Sequence, residues 1–434
     1  MAQRAVRVAI LGINYAPEPT GIAPYTTGLA KGLIDRGHDV RVLTGFPHYP
    51  QWRRDKTRSG FRWNEQIDGV PVFRLSHPVP QRLSWRGRAA MEITFGLQLM
   101  TSRWGRPEVV VCVTPPLLAA TMAAVRARVS WPRPAIGMVV QDLYSRGVTE
   151  TGAASGLSAS AISHIESSAL RLADGVAVIH PGFASQLSGH LGVQAHRIRV
   201  IRNWTHVPSP DPMSSEAFRA SHGWGSDELI ILHAGNMGFK QGLENVIAAA
   251  ELAGRADQRV RFVLLGDGNQ RVHLQSMASG IRAIDFLSPV SDEDFPAALG
   301  AADVLLVNER PGVAQMAVPS KLTSYFRAGK PILAATDEHG FAAREIRAAR
   351  AGVLVDPNRP DLLVQEALRL GQDRSRAAQL GEAGGRYCDE VLSAAAAIDS
   401  YEDWIVGLAE SIRRAGGGKS GKSDAGANAR SQNA

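Results

Sequence analysis

The chain has 434 residues, 44% of them hydrophobic, enough for about two or three domains with large buried cores. A formal net charge of +7 and a pI near 9.6 suit a phosphate-bearing ligand, an anionic membrane surface or nucleic acid, without choosing among them. Two cysteines, Cys112 and Cys388, exclude a disulfide framework and a cysteine-built zinc site, and point to a reducing cytoplasm.

No apolar run approaches the ~20 residues that span a bilayer, and the first residues lead straight into a strand, so a soluble or peripheral protein is expected. Val6–Leu11 (VRVAIL) is a short apolar run rich in β-branched residues, as a buried parallel strand should be. The loop GINYAPEPTG leads into a helical pattern over Ala23–Arg36, ended by Gly37, and a strand returns at Asp39–Leu43. This order is a βαβ unit and implies a parallel sheet with right-handed crossovers. Ligands bind such sheets beyond the carboxyl ends of the strands, which puts Gly12–Gly21 and Thr44–Tyr49 on the functional edge. A dinucleotide-binding reading fails here. Gly12 and Gly21 are too far apart for G-x-G-x-x-G, and Thr44-Gly45 stands where the acidic residue belongs.

Residues 52–63 (WRRDKTRSGFRW) are basic and aromatic, and Arg82–Arg106 combines five arginines with Trp85, Trp104 and an apolar stripe of Met91, Phe95 and Leu99. Two readings stand for this region. One is a solvated loop followed by an amphipathic surface helix. The other is a membrane-facing patch, with arginines on anionic headgroups and tryptophan at the interface. Strands recur at Glu108–Val113, Ala135–Val140, Gly175–Ile179 and Ile198–Ile201. Asp142, the one carboxylate in the loop QDLYSRG, serves either as a helix N-cap or as a holder of a substrate hydroxyl.

Trp204–Trp224, with Pro208, Pro210 and Pro212, reads as an interdomain linker. A second βα series follows, with strands at Leu229–Leu232, Val260–Leu265, Ala283–Leu287, Val304–Val307, Pro331–Ala334 and Ala351–Val355. The first of them runs into HAGNMGFKQGLEN, residues 233–245. There Gly235, Gly238 and Gly242 form a turn whose N–H groups can face outward, just ahead of a helix N-terminus, and Lys240 adds a mobile cation. A strand, a Gly-rich turn and a helix start make a phosphate site, although an ordinary βα connection uses glycines too. Gly266-Asp267-Gly268 closes the next strand. Further on, Pro319 and Ser320 open a helix with Lys321 in its first turn, where a cation opposes the helix dipole at a cost of ~0.3–1 kcal/mol. A bound anion removes that conflict. Asp292 and Asp294 read D-x-D, but they open a helical pattern, where acids usually serve the cap. The chain is helical from about Arg386 to Arg414, and Gly416–Ala434 has the composition of a disordered tail.

With these motifs in place, the sequence resembles the retaining, nucleotide-sugar-dependent glycosyltransferases of family 4, and within them the colanic-acid fucosyltransferase-like exopolysaccharide group. The resemblance covers about Val6–Trp404 and rests on NYAPEPTGIAPYTTGLAKGLIDRGHDVRVLTGFPHYP, VVQDLY, RNW, GNMGFKQGLENVI, LLGDG and PSKLTSYFRAGKPIL, in that order. It implies the α/β GT-B fold: two Rossmann-like parallel-sheet domains facing across a cleft, with the C-terminal helix crossing back to the N-terminal domain. The corresponding boundaries are 1–203 for the acceptor-binding domain, 204–225 for the linker and 226–386 for the nucleotide-sugar domain. Helices at 387–415 would pack back on the first domain, ahead of the tail at 416–434.

In such enzymes the donor lies mostly on the C-terminal domain. The resemblance puts Gly235, Asn236, Gly238 and Lys240 beside the diphosphate, and Lys321 and Ser320 near the distal phosphate and sugar. Gly21 would approach the phosphate from the N-terminal domain, and Asp142 would face the donor sugar or the acceptor. Gly266, Asp267 and Gly268 would border the nucleoside pocket. Lys321, Lys240 and Asp142 are the catalytic candidates on this basis. One departure matters: the family commonly carries two glutamates eight residues apart, and their places hold Met316 and Ser324. Glu309 is the substitute the sequence offers for holding the nucleoside ribose.

The expected function is transfer of a sugar from a UDP- or GDP-sugar to a lipid-linked or glycan acceptor with retention, in bacterial surface or exopolysaccharide biosynthesis. The site would be cytoplasmic, at the inner membrane face, in peripheral contact with anionic lipid. No cofactor, no metal and no nucleic acid are expected: positive groups of the protein can stabilise the departing diphosphate, and no nucleic-acid module is recognised. The alternatives are a degenerate GT-B scaffold and a GT-B epimerase or phosphorylase, the latter two without the clustered carboxylates or dedicated phosphate groups they need.

Overall fold

The computed structural model describes residues 4–19, 21–49, 51–55, 57–58, 60–80, 85–143, 157–256, 258–312 and 320–417. Arg82, Met316, Pro319 and residues 418–434 of the expected tail therefore lie outside the described residues. Residues up to Arg202, together with those from Ala395 onward, form one compact unit, and Asn203–Ala394 form the core of the other.

The first unit carries β1 (Arg7–Leu11), α1 (Ala23–Asp35), β2 (Asp39–Gly45), β3 (Arg62–Ile67), β4 (Val70–Leu75) and α2 (Trp85–Thr101). It continues through β5 (Val109–Thr114), α3 (Leu117–Val129), β6 (Ala135–Val140), α4 (Leu157–Leu172), β7 (Gly175–Val178), α5 (Pro181–Gly189) and β8 (Ile198–Val200). The strand order is β3-β4-β2-β1-β5-β6-β7-β8. All pairings are parallel except β3 with β4. Every residue of β5 and β6 is buried, which is why both read as continuous apolar runs.

The β3–β4 hairpin follows the basic stretch 52–63 and corresponds to no expected strand. Its two-residue turn is Asp68-Gly69, both at positive φ (50° and 80°), the geometry that matches the twist of paired strands. The Asp-Gly pair was the available signal. Polar residues along the edge strand β3 hid it, because an edge strand has no buried face to mark.

The second unit carries α6 (Pro212–Ser221), β9 (Leu229–Ala234), α7 (Glu244–Arg255), β10 (Val260–Leu265), α8 (Arg271–Met277), β11 (Ile284–Leu287) and α9 (Phe295–Ala301). Then follow β12 (Val304–Asn308), α10 (Lys321–Arg327), β13 (Ile332–Ala335), α11 (Phe341–Ala349), β14 (Gly352–Val355), α12 (Pro360–Gln372) and α13 (Arg374–Glu390). The sheet is wholly parallel in the order β11-β10-β9-β12-β13-β14, the doubly wound arrangement whose order reverses between β9 and β12. Helices cover both faces, with Tyr325 and Phe326 of α10 in one core and Leu363 and Leu370 of α12 in the other.

Two expectations change here. The stretch read as a linker, 204–225, holds α6: Asp211 caps it by accepting the Ser214 N–H at 2.8 Å, and Pro212 supplies the first turn. The Arg219 guanidinium then ties α6 to this unit through the Ala301 carbonyl (3.0 Å) and Asp303 (3.1 Å). The helices expected at 387–415 do not all pack on the first domain: the end of α13 stays with the second unit. Tyr387 and Cys388 of α13 are buried in the second unit, and the chain breaks at 391–393, where Leu392 packs into that core.

After the break, α14 (Ala394–Gly417) returns to the first unit. Gly137 of β6 and Gly175 of β7 let its Trp404 and Leu408 approach the sheet. A methyl built on Gly137 would lie 2.6 Å from the Trp404 ring. The rim is polar: Arg36 pairs with Glu402 at 2.9 Å. His38 accepts the Val6 N–H on Nδ1 at 3.1 Å, so its Nε2 donates to Glu402 at 3.1 Å.

Gly137→Val should lower stability by about 1–3 kcal/mol, the cost of overpacking against a rigid indole, measured as the shift in the denaturant midpoint. An unchanged midpoint would mean that α14 does not need this approach.

Candidate active site

The sheet of the second unit reverses order between β9 and β12, and the candidate residues gather at the carboxyl ends of β9, β10 and β12. Two glycine-containing loops lie against each other there. A methyl built on Gly266 would fall 2.0 Å from the Gly235 carbonyl oxygen, and Gly266 has φ +136°, so only glycine fits. Gly235 N–H donates to the Leu265 carbonyl (2.9 Å), and Met237 N–H to the Asp267 carbonyl (2.8 Å). Asn236 wedges between Gly238 and Gly268: its side-chain amide lies 2.8 and 2.7 Å from where their methyl groups would be.

This corrects the expectation of an outward-facing cradle of N–H groups. Those of Gly235, Met237 and Gly238 are all used internally, the last by Gln241 Oε1 at 3.1 Å. The loop's glycines serve backbone packing between β9 and β10 more than anion contact. Asp267 behaves similarly, its carboxylate accepting the Gly268 N–H at 2.8 Å.

The rest of the loop is fixed from β12. Asn308, buried, donates to the carbonyls of Gln241 (2.8 Å) and Gly242 (2.9 Å) and accepts from Asn245 (2.9 Å), so both its N–H groups are used. Arg310 lies over the Phe239 ring at 3.8 Å, pairs with Glu244 at 2.8 Å and donates its N–H to the Lys240 carbonyl at 2.8 Å. Lys240 is exposed on the turn Phe239–Gln241, whose bonds run to Arg310 and Asn308 rather than to Lys321.

Lys321 is the centre of the site. It is the first residue of α10, and Tyr325 anchors that helix by accepting the Ala234 N–H at 2.8 Å. Its half-buried ammonium lies 3.1 Å from Nε2 of His233, which is fully buried, and 3.7 Å from a methyl built on Gly235. Among the described residues it forms no ion pair. Burial pushes its pKa down to about 7, opposed by the negative charge of Glu309. Burial and the adjacent Lys321 hold His233 well below the ordinary imidazole range, so it is neutral and accepts from the ammonium. Glu309 itself takes a hydrogen bond from Thr336 Oγ1. Ser320 is exposed beside Lys321, and Ser324, in the place of the family's usual glutamate, is buried.

Gly21 and Asp142 belong to the first unit, Gly21 against the Tyr49 ring and Asp142 near enough for its charge to act on the Tyr49 phenol. A methyl on Gly21, at φ +71°, would lie 3.1 Å from the Tyr49 ring. Burial raises the Tyr49 phenol pKa, and the exposed Asp142 and Glu18 add to the rise. Glu18 builds this corner: its buried carboxylate accepts the N–H groups of His48 (2.8 Å) and Tyr49 (2.9 Å) and the Asn14 amide (2.8 Å).

Sequence reasoning missed His233, Asn308, Arg310 and Glu18. The visible signal for His233 and Asn308 was a polar residue at the end of an apolar strand. Among the described residues no group of three or more His, Cys, Asp or Glu is placed to hold a metal ion. Asp294 begins α9 but does not cap it with its side chain. Ser291 Oγ accepts the Asp294 N–H at 3.1 Å instead.

Residues 20–204 match the glycosyl transferase 4-like domain, and residues 214–386 match the glycosyl transferases group 1 family. The chain is 31% identical over 340 residues to WcaI of Escherichia coli K12, named as a glycosyl transferase of colanic acid biosynthesis, covering 75% of this chain and 82% of WcaI. Among solved structures it superposes on Anabaena HepE, determined in complex with UDP, with a TM-score of 0.67 at 14% identity, covering 92% of this chain and 98% of HepE. WaaG, a glycosyltransferase of lipopolysaccharide biosynthesis, gives 0.66 at 17% identity, covering 92% and 99%. Two doubly wound parallel sheets, a polar site at the order reversal of the second, and both family matches agree: this chain is a GT-B glycosyltransferase, belonging to the family that joins a glycosyl transferase 4-like domain to a group 1 domain.

Proposed function

We propose that the protein transfers a hexose from a UDP- or GDP-sugar to a lipid-linked or glycan acceptor with retention, in exopolysaccharide synthesis of the colanic-acid, fucosyltransferase-like kind. The observation that carries this reading is Lys321: a cation-forming group beside a neutral histidine, without an ion-pair partner among the described residues, at the sheet's order reversal. Such a site is unfavourable until an anion enters it. A diphosphate would restore the lysine's proton affinity, and the charged ammonium would then stabilise the negative charge that grows on the phosphate as the bond to the sugar breaks. Holding that geometry would fall to His233 from below and Glu309 from the side. UDP and UDP-glucose in the HepE structures, and the colanic acid pathway in the name of WcaI, support the donor class and the setting. A scaffold protein would have no use for a half-buried lysine so placed.

A membrane-bound acceptor is supported by α2. Phe95 and Leu99 of this helix are buried, yet its opposite face is apolar as well: Trp85 is 69% exposed, Leu97 55% and Ile93 44%. Arg86, Arg88, Arg103 and Arg106 in the same stretch are exposed and form no ion pair among the described residues. Tryptophan and aliphatic groups beside uncompensated arginines suit a peripheral contact with anionic lipid at the inner face of the membrane. No helix among the described residues is long and apolar enough to cross a membrane.

Thermal-shift measurements with UDP-, GDP- and ADP-sugars should show a rise with one nucleoside class, since a ligand at 100 times its Kd adds ~2.7 kcal/mol. Lys321→Ala should reduce turnover by ~10²-fold or more, and near-unchanged turnover would remove it from this role. Donor binding should weaken as pH rises through about 7, because the free protein's Lys321 loses its proton there. The diphosphate of a nucleotide sugar has no group titrating in that range, so the effect is the protein's. Lys321→Arg should lack this limb. For the membrane contact, Leu97→Asp with Arg86→Glu should abolish co-sedimentation with phosphatidylglycerol vesicles, and equal sedimentation would count against it.

A further inference from the structure

Two loops of the first unit, 12–21 and 45–49, leave the carboxyl ends of β1 and β2, and two buried side chains of opposite charge join them. One is Arg74 of β4, 1% exposed. Its guanidinium donates to the Gly45 carbonyl at 3.0 Å, to the Ala16 carbonyl and, through Nε, to Glu65 of β3. The other is Glu18, which belongs to the first loop and accepts the N–H groups of His48 and Tyr49 in the second. One charge therefore gathers carbonyls and the other gathers amides. Burial lowers the Arg74 pKa, and the carboxylates of Glu65 and Glu18 both oppose that. The loops lie close together: a methyl built on Gly45 would fall 2.8 Å from the Ile13 carbonyl oxygen, which accepts the Gly45 N–H at 3.1 Å.

The fold itself has no need of a charge at this place. Arg74 stands third in the row Val70, Val72, Arg74, which β4 buries on one face. An apolar residue would continue that row without the cost of withdrawing a guanidinium from water, and exchanging a buried ion pair for well-packed apolar groups is commonly neutral or stabilising. What an apolar residue cannot do is bind two carbonyls from two loops and a carboxylate at once. The planar fork of arginine, with five donors, does this. Glu65 supplies the counter-charge from the edge hairpin, where Arg58 also pairs with it at 3.0 Å. The second loop ends in Tyr49, whose ring meets Gly21 at the end of the first, so the spacing that Arg74 and Glu18 set is also the spacing between those two residues.

We propose that Arg74 is a positioning residue for sugar transfer: held by Glu65, it fixes loops 12–21 and 45–49 in the geometry that turnover requires. The assignment rests on the transfer reading above. It gives the β3–β4 hairpin a part in catalysis, as the source of the counter-charge that keeps the guanidinium between the loops.

The test compares Arg74→Lys, which keeps a charge but cannot serve all three acceptors, with Glu65→Leu and Glu65→Gln. Rates are read well below each variant's melting temperature, as release of UDP or GDP from UDP-glucose or GDP-mannose, whichever raises the melting temperature of the unaltered protein more. Arg74→Lys and Glu65→Leu should lower kcat by about tenfold or more, while the Kd of the nucleoside diphosphate, whose proposed site is in the second unit, stays within about twofold. Glu65→Gln, which leaves an acceptor for Nε, should recover most of the rate. Hydrogen–deuterium exchange should quicken in segments 12–21 and 45–49 and not in β5 and β6. A lower melting temperature with unchanged kcat, or exchange quickened throughout the sheet, would overturn the proposal and leave Arg74 a purely structural residue. If Arg74→Lys does not fold, Glu65→Leu, on the edge strand, decides alone. Failure of the transfer reading is separate: the unaltered protein would release no nucleoside diphosphate from any nucleotide sugar, whatever the exchange pattern.

Discussion

A lysine ammonium half withdrawn from water beside a neutral imidazole is the constraint on which the second unit's candidate site depends. Removing a charge from solvent costs free energy unless a counter-charge or hydrogen bonds replace the water, and among the described residues Lys321 has His233 in contact and Glu309 at longer range. The fold tolerates this because the surrounding parts are held by other bonds. Tyr325 pins α10 to β9, Asn308 spends both its N–H groups on the glycine turn, and Arg310 clamps that turn from the far side.

The division of labour between glycines and lysine differs from what the motif suggests. A Gly-rich turn ahead of a helix is ordinarily read as a phosphate cradle. Here Gly235 and Gly266 bring two backbone loops into contact, and their N–H groups are spent on neighbouring carbonyls. What these glycines supply is close approach of the two loops: a methyl on Gly266 would strike the Gly235 carbonyl, whereas one on Gly235 would only touch Lys321. Positive charge therefore comes from side chains, chiefly Lys321.

Most of the fold was legible because parallel strands buried on both faces must be apolar throughout. β5, β6, β9, β10 and β12 all announce themselves as runs of Val, Ile and Leu. The same rule explains the misses. β3 is an edge strand with polar residues, and α6 hides behind prolines that begin a helix instead of preventing one. In the site, Lys321 was legible because it broke a local rule, standing at a helix start where a cation is disfavoured. His233 was not, since one imidazole at the end of an apolar strand looks like any other strand end until the neighbour from α10, 88 residues later, is placed against it.

The return of α14 to the first unit has a bearing on how the protein is made. That unit is discontinuous in sequence, since Asn203–Ala394 intervene between its sheet and the helix that covers Gly137 and Gly175. On the ribosome the sheet emerges first, yet its apolar seat for Trp404 stays uncovered while nearly two hundred further residues are synthesised. The second unit, by contrast, is contiguous and can close as soon as it leaves the exit tunnel. Completion of the amino-terminal half thus waits on the last stretch of translation. A nascent chain stalled before Tyr401 would lack the helix that covers this seat, and the sheet of the first unit would stay open.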